Sequence, residues 1–143
     1  MLPEAIELVI VTPTRQLVRT FTREVTLPGA NGYLGVLPGH APLMTELGIG
    51  ELTFQGTAKL EPLTVIRGFA EVLPDRLTVL AETAELAAEI DLERAEAAKA
   101  RAENRLAAGD PNIDWDRAGV ALQRALIRVQ VARKHRGVPA SSN

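Results

Sequence analysis

Three groups of residues have types and spacing that could do chemistry. The first is Pro28-Gly29-Ala30-Asn31-Gly32-Tyr33-Leu34-Gly35-Val36-Leu37-Pro38-Gly39-His40-Ala41-Pro42-Leu43, with four glycines and three prolines. A glycine run of that density could cradle a phosphate. Its spacing is not G-x-G-x-x-G, no Gly-Lys-Ser/Thr follows, and no helical pattern begins there to offer its N-terminus. It reads instead as two bends around a short strand, glycine supplying positive φ and proline fixing φ. His40, in the second bend, reads as a hydrogen-bonding turn residue. The second group is the pair of histidines, His40 and His135, too few for a zinc site. Cysteine is absent, which excludes disulfides and thiolate chemistry, and the only serines, Ser141 and Ser142, stand in the tail. No catalytic or metal-ligating set is expected.

The third group is cationic. After Asp116 there is no acid, yet there are six bases: Arg117, Arg124, Arg128, Arg133, Lys134 and Arg136. Arg117, Arg124 and Arg128 share one helical face by their spacing of seven and four. Such a strip is either a solvated face complementing the helix dipole or a docking strip for an acidic partner. Residues 1–86 hold 6 bases and 10 acids, residues 87–143 hold 10 and 8, and the whole chain carries −2. With aromatics at only 3%, neither a global basic field nor a base-stacking platform is present, so nucleic acid is not an expected partner.

The elements that must position these residues fall into two unlike halves. Over residues 1–86, β-rich runs recur about every 8–12 residues with Gly, Pro or Asn between most of them. They are Glu4–Val11, Gln16–Thr20, Arg23–Leu27, Tyr33–Leu37, Pro42–Leu47, Glu51–Phe54, Leu63–Arg67, Phe69–Leu73 and Leu77–Ala81. That spacing predicts an antiparallel sandwich or barrel. From Glu85 to Ala108 the chain is rich in Ala, Glu, Arg and Leu, which predicts a helix stopped by Gly109-Asp110-Pro111. Asp114 or Asp116 can cap a second helix that runs to about His135 and ends at Gly137, before Pro139. The last few residues read as disordered.

The expected fold is therefore α+β: a β-sandwich over 1–84, then an antiparallel two-helix hairpin over 85–143. On the first helix Leu86, Ile90, Ala97, Ala98 and Leu106 read as a weak, alanine-rich face. On the second, Trp115, Leu122, Leu126 and Val129 read as an apolar stripe. A hairpin so lightly packed should be marginal alone and able to move. No apolar run approaches the roughly 18–20 residues that span a bilayer, and the N-terminus lacks the basic start of a signal peptide.

The segment Gly35-Val36-Leu37-Pro38-Gly39-His40-Ala41-Pro42-Leu43 closely resembles the signature of the epsilon subunit of rotary F-type ATP synthases. Gly68-Phe69-Ala70-Glu71-Val72 followed by Leu77-Thr78-Val79-Leu80-Ala81-Glu82-Thr83-Ala84 resembles the end of that family's β-domain. Ile90-Asp91-Leu92-Glu93-Arg94-Ala95 is similar to its hydrophobic-Asp-x-x-Arg-Ala motif. The likeness runs from about Leu8 to Arg136.

The resemblance implies a non-catalytic rotor subunit of the central stalk, peripheral to the inner membrane on its cytoplasmic side. It implies gamma, the c-subunit ring, and the alpha and beta subunits as partners. The bend Ala30-Asn31-Gly32-Tyr33 would face the ring. Many relatives carry an acid where Tyr33 stands, and Arg67 replaces a small residue common before Gly68. Gly35, Pro38, Gly39 and His40 would serve geometry and subunit contact. The hairpin would inhibit ATP hydrolysis through the basic residues after Asp116. No cofactor is required, but in some bacterial relatives the hairpin binds ATP as a regulatory ligand. The positions resembling that site are Glu85, Ile90, Asp91, Arg94, Arg101, Arg124 and Arg128. Asp91 also reads as a cap-region residue with Arg94 as its i+3 partner. A free-standing carbohydrate-type sandwich is the weakest reading, because aromatics are scarce.

Overall fold

A computed structural model describes residues 2–137; Pro139, Ser141, Ser142 and the rest of the expected tail lie outside the described residues. The chain divides into two compact units, Met1–Leu86 and Ala87–Asn143. The first holds seven strands: β1 Ile6–Val11, β2 Gln16–Thr22, β3 Val25–Gly29, β4 Gly32–Val36, β5 Leu43–Gln55, β6 Leu60–Val72 and β7 Arg76–Leu86. They form one sheet in the order β2-β1-β7-β6-β5-β3-β4.

That sheet folds over on itself. In a flat sheet β1 and β3 would stand about 19 Å apart, four strand spacings of ~4.8 Å. Yet Ile6, Leu8 and Ile10 of β1 and Val25 and Leu27 of β3 belong to one buried core, with Val36, Leu47, Leu52, Leu63, Val65, Val72, Leu77 and Val79. The result is a sandwich. Its pairs are antiparallel except β1 with β7, which run parallel, a mixed pairing that alternation of apolar residues does not reveal. Glu7 ties this part together, accepting from Arg76 Nε at 2.9 Å and from Arg19 Nη2 at 3.4 Å.

Nine expected runs become seven strands because glycine lies inside two long strands without ending them. Leu43–Leu47 and Glu51–Phe54 belong to β5, and Leu63–Arg67 and Phe69–Val72 to β6, with Pro42 and Leu73 just outside. At the β6 bend Arg67 has φ 57° and Gly68 φ 129°. A Cβ at Gly68 would collide with the Leu80 carbonyl and lie 2.9 Å from Ala81 Cα, so only glycine lets β6 lie this close to β7. In β5 the pairing with β3 slips between Thr26 and Gly29, where Pro28 has no N–H to donate.

The second unit contains a 3-10 turn, Ala87–Glu89, then α1 Leu92–Ala107 and α2 Trp115–Arg136. Glu85 and Leu86, expected at the start of the helix, are the last residues of β7. Strong helix formers there are overridden by pairing with Thr64 and Leu63 of β6. The helix starts instead at Asp91, whose Oδ1 accepts from the Arg94 N–H at 3.1 Å. Asp114, rather than Asp116, caps α2 by the same bond to the Arg117 N–H, also at 3.1 Å. Gly137, at φ 70°, closes α2 with its N–H on the carbonyls of Arg133 and Lys134.

Candidate functional site

The signature bend is a tied turn. Pro38, Gly39 and His40 are half-buried. Gly39 has φ 87°, its N–H donates to the Pro74 carbonyl at 2.8 Å, and the His40 N–H donates to Leu37 O at 3.1 Å. The bend is thereby fastened to the β6–β7 turn. His40 Nδ1 lies 2.6 Å from the Ala41 carbonyl, which can only accept, so Nδ1 carries the proton. His40 is thus a hydrogen-bonding turn residue, as its sequence context indicates. Gly35 differs: it is exposed in β4, and a Cβ there would meet open space.

The neighbouring bend is also exposed. Ala30 and Asn31 link β3 to β4, and Gly32 has φ 134°. Tyr33 is 61% exposed, but its hydroxyl crosses to β5 and accepts from the Glu51 N–H at 3.1 Å. A Cβ at Gly50 would stand 2.7 Å from that hydroxyl and 2.6 Å from Pro28 Cβ. Tyr33 therefore serves the slipped stretch of β5 whose ladder partner is missing. Sequence reasoning assigned it only to an outward contact.

A larger surface escaped sequence reasoning. On the outer face of β5, β6 and β7, register places Met44 beside Glu71 and Thr78, and Glu46 beside Phe69 and Leu80. Met44 (63% exposed), Phe69 (54%) and Leu80 (54%) are large apolar groups in the outward phase of their strands. With Glu71 and Thr78 they line a shallow concavity of about 380 Å³. Glu46, Glu71 and Glu82 are exposed around them. The available signal was large apolar residues alternating in phase with glutamates.

In the helical unit the buried faces differ from the expected ones. Trp115 is 61% and Leu126 43% exposed. Ala97 is exposed, and Ala98, Leu106 and Leu122 are half-buried. The buried positions are Ala95 and Ala102 of α1, and Ala118, Ala125, Val129 and Ala132 of α2 at spacings of seven, four and three. Ile127 and Val131 are buried on the opposite side of α2. Ile90 and Val129 are buried as expected, but selecting the largest apolar residues misplaced Trp115 and Leu126, because two helices approach most closely over small ones.

This seam sorts the charges. Arg94, Arg101, Arg117, Arg124 and Arg128 each immediately precede a seam residue, and Glu96 and Arg133 each immediately follow one. In an antiparallel pair, equal rotational offsets from the seam fall on the same edge. The bond from Arg133 Nη2 to Glu96 Oε1, at 2.8 Å, marks one edge. The five arginines lie along the other. Arg136 Nη2 donates to the Ile90 carbonyl at 3.4 Å, and Lys134 is exposed. The expected basic strip is thus divided: Arg117, Arg124 and Arg128 share an edge, while Arg133 and Arg136 reach residues at the start of α1. Of the positions resembling a nucleotide site, Arg94, Arg101, Arg124 and Arg128 share that edge with the α1 cap, Asp91, at its start, and Ile90 is buried. Glu85 belongs to the other unit, where its N–H donates to Thr64 Oγ1 at 3.0 Å. Among the described residues no cluster of His, Cys, Asp and Glu could hold a metal ion, and no helix is long and apolar enough to cross a membrane.

Comparison with known proteins matches both units. Residues 5–87 match the family model of the ATP synthase delta/epsilon chain β-sandwich domain, and residues 88–133 that of its long α-helix domain. The ATP synthase epsilon chain of Syntrophobacter fumaroxidans is 45% identical over 131 residues, 92% of this chain and 98% of that protein. That of Geobacter sulfurreducens is 47% identical over 132 residues, 92% of this chain and 96% of that protein. That of Koribacter versatilis is 50% identical over 108 residues, 76% of each chain. Among solved structures, a chain in the Euglena gracilis mitochondrial ATP synthase (OSCP/F1/c-ring, rotational state 1) superposes with a TM-score of 0.78. It is 22% identical, and the match covers 92% of this chain and 83% of that one, a likeness of fold. With both units matched in order and relatives of 45–50% identity, the chain belongs to the ATP synthase delta/epsilon family, among its epsilon chains.

Proposed function

We propose that this chain is a non-catalytic rotor subunit of the proton-transporting F-type ATP synthase, coupling proton flow to ATP synthesis. Its sandwich joins gamma and the c-subunit ring in the central stalk, peripheral to the membrane on the cytoplasmic side. The observation that carries this reading is the outer sheet face. Met44, Phe69 and Leu80 form an exposed apolar patch flanked by Glu46, Glu71 and Glu82, with Arg67 exposed on the same strand as Phe69. Isolated exposed apolar residues need no explanation, but a contiguous set with charged groups around it suits a partner surface. The complementary surface is apolar with a polar rim, and gamma is the partner assigned to it. The bends at Ala30–Tyr33 and Gly35–His40 are assigned to further contacts with the ring and stalk. A Met44→Ser/Phe69→Ser/Leu80→Ser variant should remain folded yet lose gamma binding by at least tenfold in a pull-down titration with purified gamma. Unchanged binding would overturn the assignment of this face.

The helical unit supplies inhibition of ATP hydrolysis in this reading, with the alpha and beta subunits as the acidic surface it meets. The arginine edge supports it, since Arg117, Arg124 and Arg128 lie together without an interspersed acid after Asp116. Reconstitution with the catalytic head, with and without residues 87–143, tests it: the truncated chain should leave ATP hydrolysis uninhibited.

One observation favours a second role for the same edge, binding ATP as a regulatory ligand. Arg94, Arg101, Arg124 and Arg128 converge there from both helices by their position against the seam. Guanidinium groups from two helices suit a polyphosphate, each offering forked donors. Titration of the full chain with ATP should give saturable heat that Arg124→Ala/Arg128→Ala abolishes; no heat in the parent chain would dismiss this role.

A further inference from the structure

We infer that the open end of the hairpin is held by a polar clamp, and that this clamp withholds one cation, Arg133, which becomes fully available only when the helices part. The open end is where α1 begins and α2 finishes. There Arg133 Nη2 donates to Glu96 Oε1 at 2.8 Å, joining residues 37 apart in the sequence. Their side chains are 24% and 42% exposed, so this is a half-buried pair rather than a surface one. One turn further, Arg136 Nη2 donates to the Ile90 carbonyl at 3.4 Å, just before the α1 cap. Both ties cross from the last turn of α2 to the first residues of the helical unit.

The clamp adds a polar tie to an apolar end, where Ile90, Val129, Val131 and Ala132 are buried. The seam beside it is Ala95 facing a helix whose nearest seam residues are Val129 and Ala132. Alanine permits close approach but removes little apolar area from water. A short charge-assisted hydrogen bond adds a directional tie to that contact. It is also incompletely compensated: Arg133 Nε is buried with no hydrogen-bond partner among the described residues. A buried donor left unmade weakens the closed state and lowers the cost of opening. The clamp is strong enough to order the end and weak enough to release.

The cations of α2 therefore form two sets. Arg117 and Arg124 are exposed in the closed hairpin. Arg136 is exposed as well, whereas Arg133 is half-buried and committed to Glu96, so opening adds it to the basic surface. That consequence rests on the inhibitory reading above; the clamp itself does not.

Amide exchange on the full chain tests the clamp without any partner. Glu96→Gln keeps the shape and removes the charge. It should speed exchange over residues 127–136 about three- to tenfold, leaving sandwich amides unchanged. Raising NaCl from about 0.05 M to about 0.5 M should speed the same amides in the parent and have little effect in the variant. The exchanged pair Glu96→Arg/Arg133→Glu should restore protection. Exchange in Glu96→Gln within twofold of the parent would overturn the clamp, as would failure of the exchanged pair to recover. If the clamp holds while Arg133→Ala still inhibits ATP hydrolysis fully in the reconstituted head, only the docking role of that cation is lost.

Discussion

The sandwich and the hairpin of this chain are stabilised in opposite ways. The sandwich buries Ile6, Leu8, Ile10, Leu27, Leu47, Leu52, Leu63 and Leu77 completely or almost so, and its pairings join residues distant in sequence. The hairpin closes over Ala95, Ala102, Ala118, Ala125, Val129 and Ala132, with a half-buried ion pair at its open end. Large branched side chains lose several kcal/mol when truncated, whereas an alanine seam has little to lose. The sandwich is thus a platform whose surface can be presented rigidly to partners. The hairpin has less branched apolar burial to lose, which places it nearer the low-stability end of the structure.

Four substitutions sharpen or break that contrast. Gly68→Ala should be the most damaging. The new Cβ meets the Leu80 carbonyl and Ala81 Cα in a backbone at φ 129°, so it is strained both by contact and by conformation. A loss of about 3–5 kcal/mol in urea unfolding of the whole sandwich is expected, on the order of the largest single-site effects. A loss below about 1 kcal/mol would mean that β6 and β7 can separate there, and the platform would be less rigid than argued.

Ala125→Leu overfills the seam. It should cost about 1–3 kcal/mol, confined to the hairpin, with α1 and α2 amides losing protection and sandwich amides keeping theirs. If the sandwich loses protection equally, the two units do not unfold separately. Tyr33→Phe removes the hydroxyl that accepts from the Glu51 N–H and should cost about 1 kcal/mol of sandwich stability by urea unfolding. No change would return Tyr33 to a purely outward role. Asp114→Ala deletes the α2 cap and should cost about 1 kcal/mol or less, read as faster exchange in the first turn of α2 alone. Faster exchange along the whole helix would show that the hairpin opens from its closed end rather than from the Glu96–Arg133 clamp.

Much of this architecture was legible in the residues themselves. Gly109 and Gly137 marked helix ends and both take positive φ, because left-handed caps favour a residue without Cβ. Gly39 in the signature bend takes φ 87° for the same reason. Asp114 stood where a cap was needed, and the motif around Gly35–Leu43 sufficed for the family resemblance. These are local matters, settled by a few neighbouring residues. The switch from strands to helices was equally plain, since alternating β-branched runs and an Ala/Glu/Arg/Leu run have different periods.

What the tertiary structure alone decided depends on residues far apart in sequence. Gly48, Gly50 and Gly68 looked like strand ends and proved to lie inside long strands, because a glycine ends a strand only when the partner strand ends too. The parallel pairing of β1 with β7 depends on how the sheet folds over, which no local pattern encodes. Trp115 looked like core and is exposed, because packing distance between helices selected alanine over size. Nothing near Arg133 in the sequence named Glu96 as its partner. Local conformation follows from each residue's own sterics and hydrogen bonding, so the sequence determined caps, turns, periods and family. Register, facing and charge pairing follow from which distant segments meet, and only the folded chain brings those together.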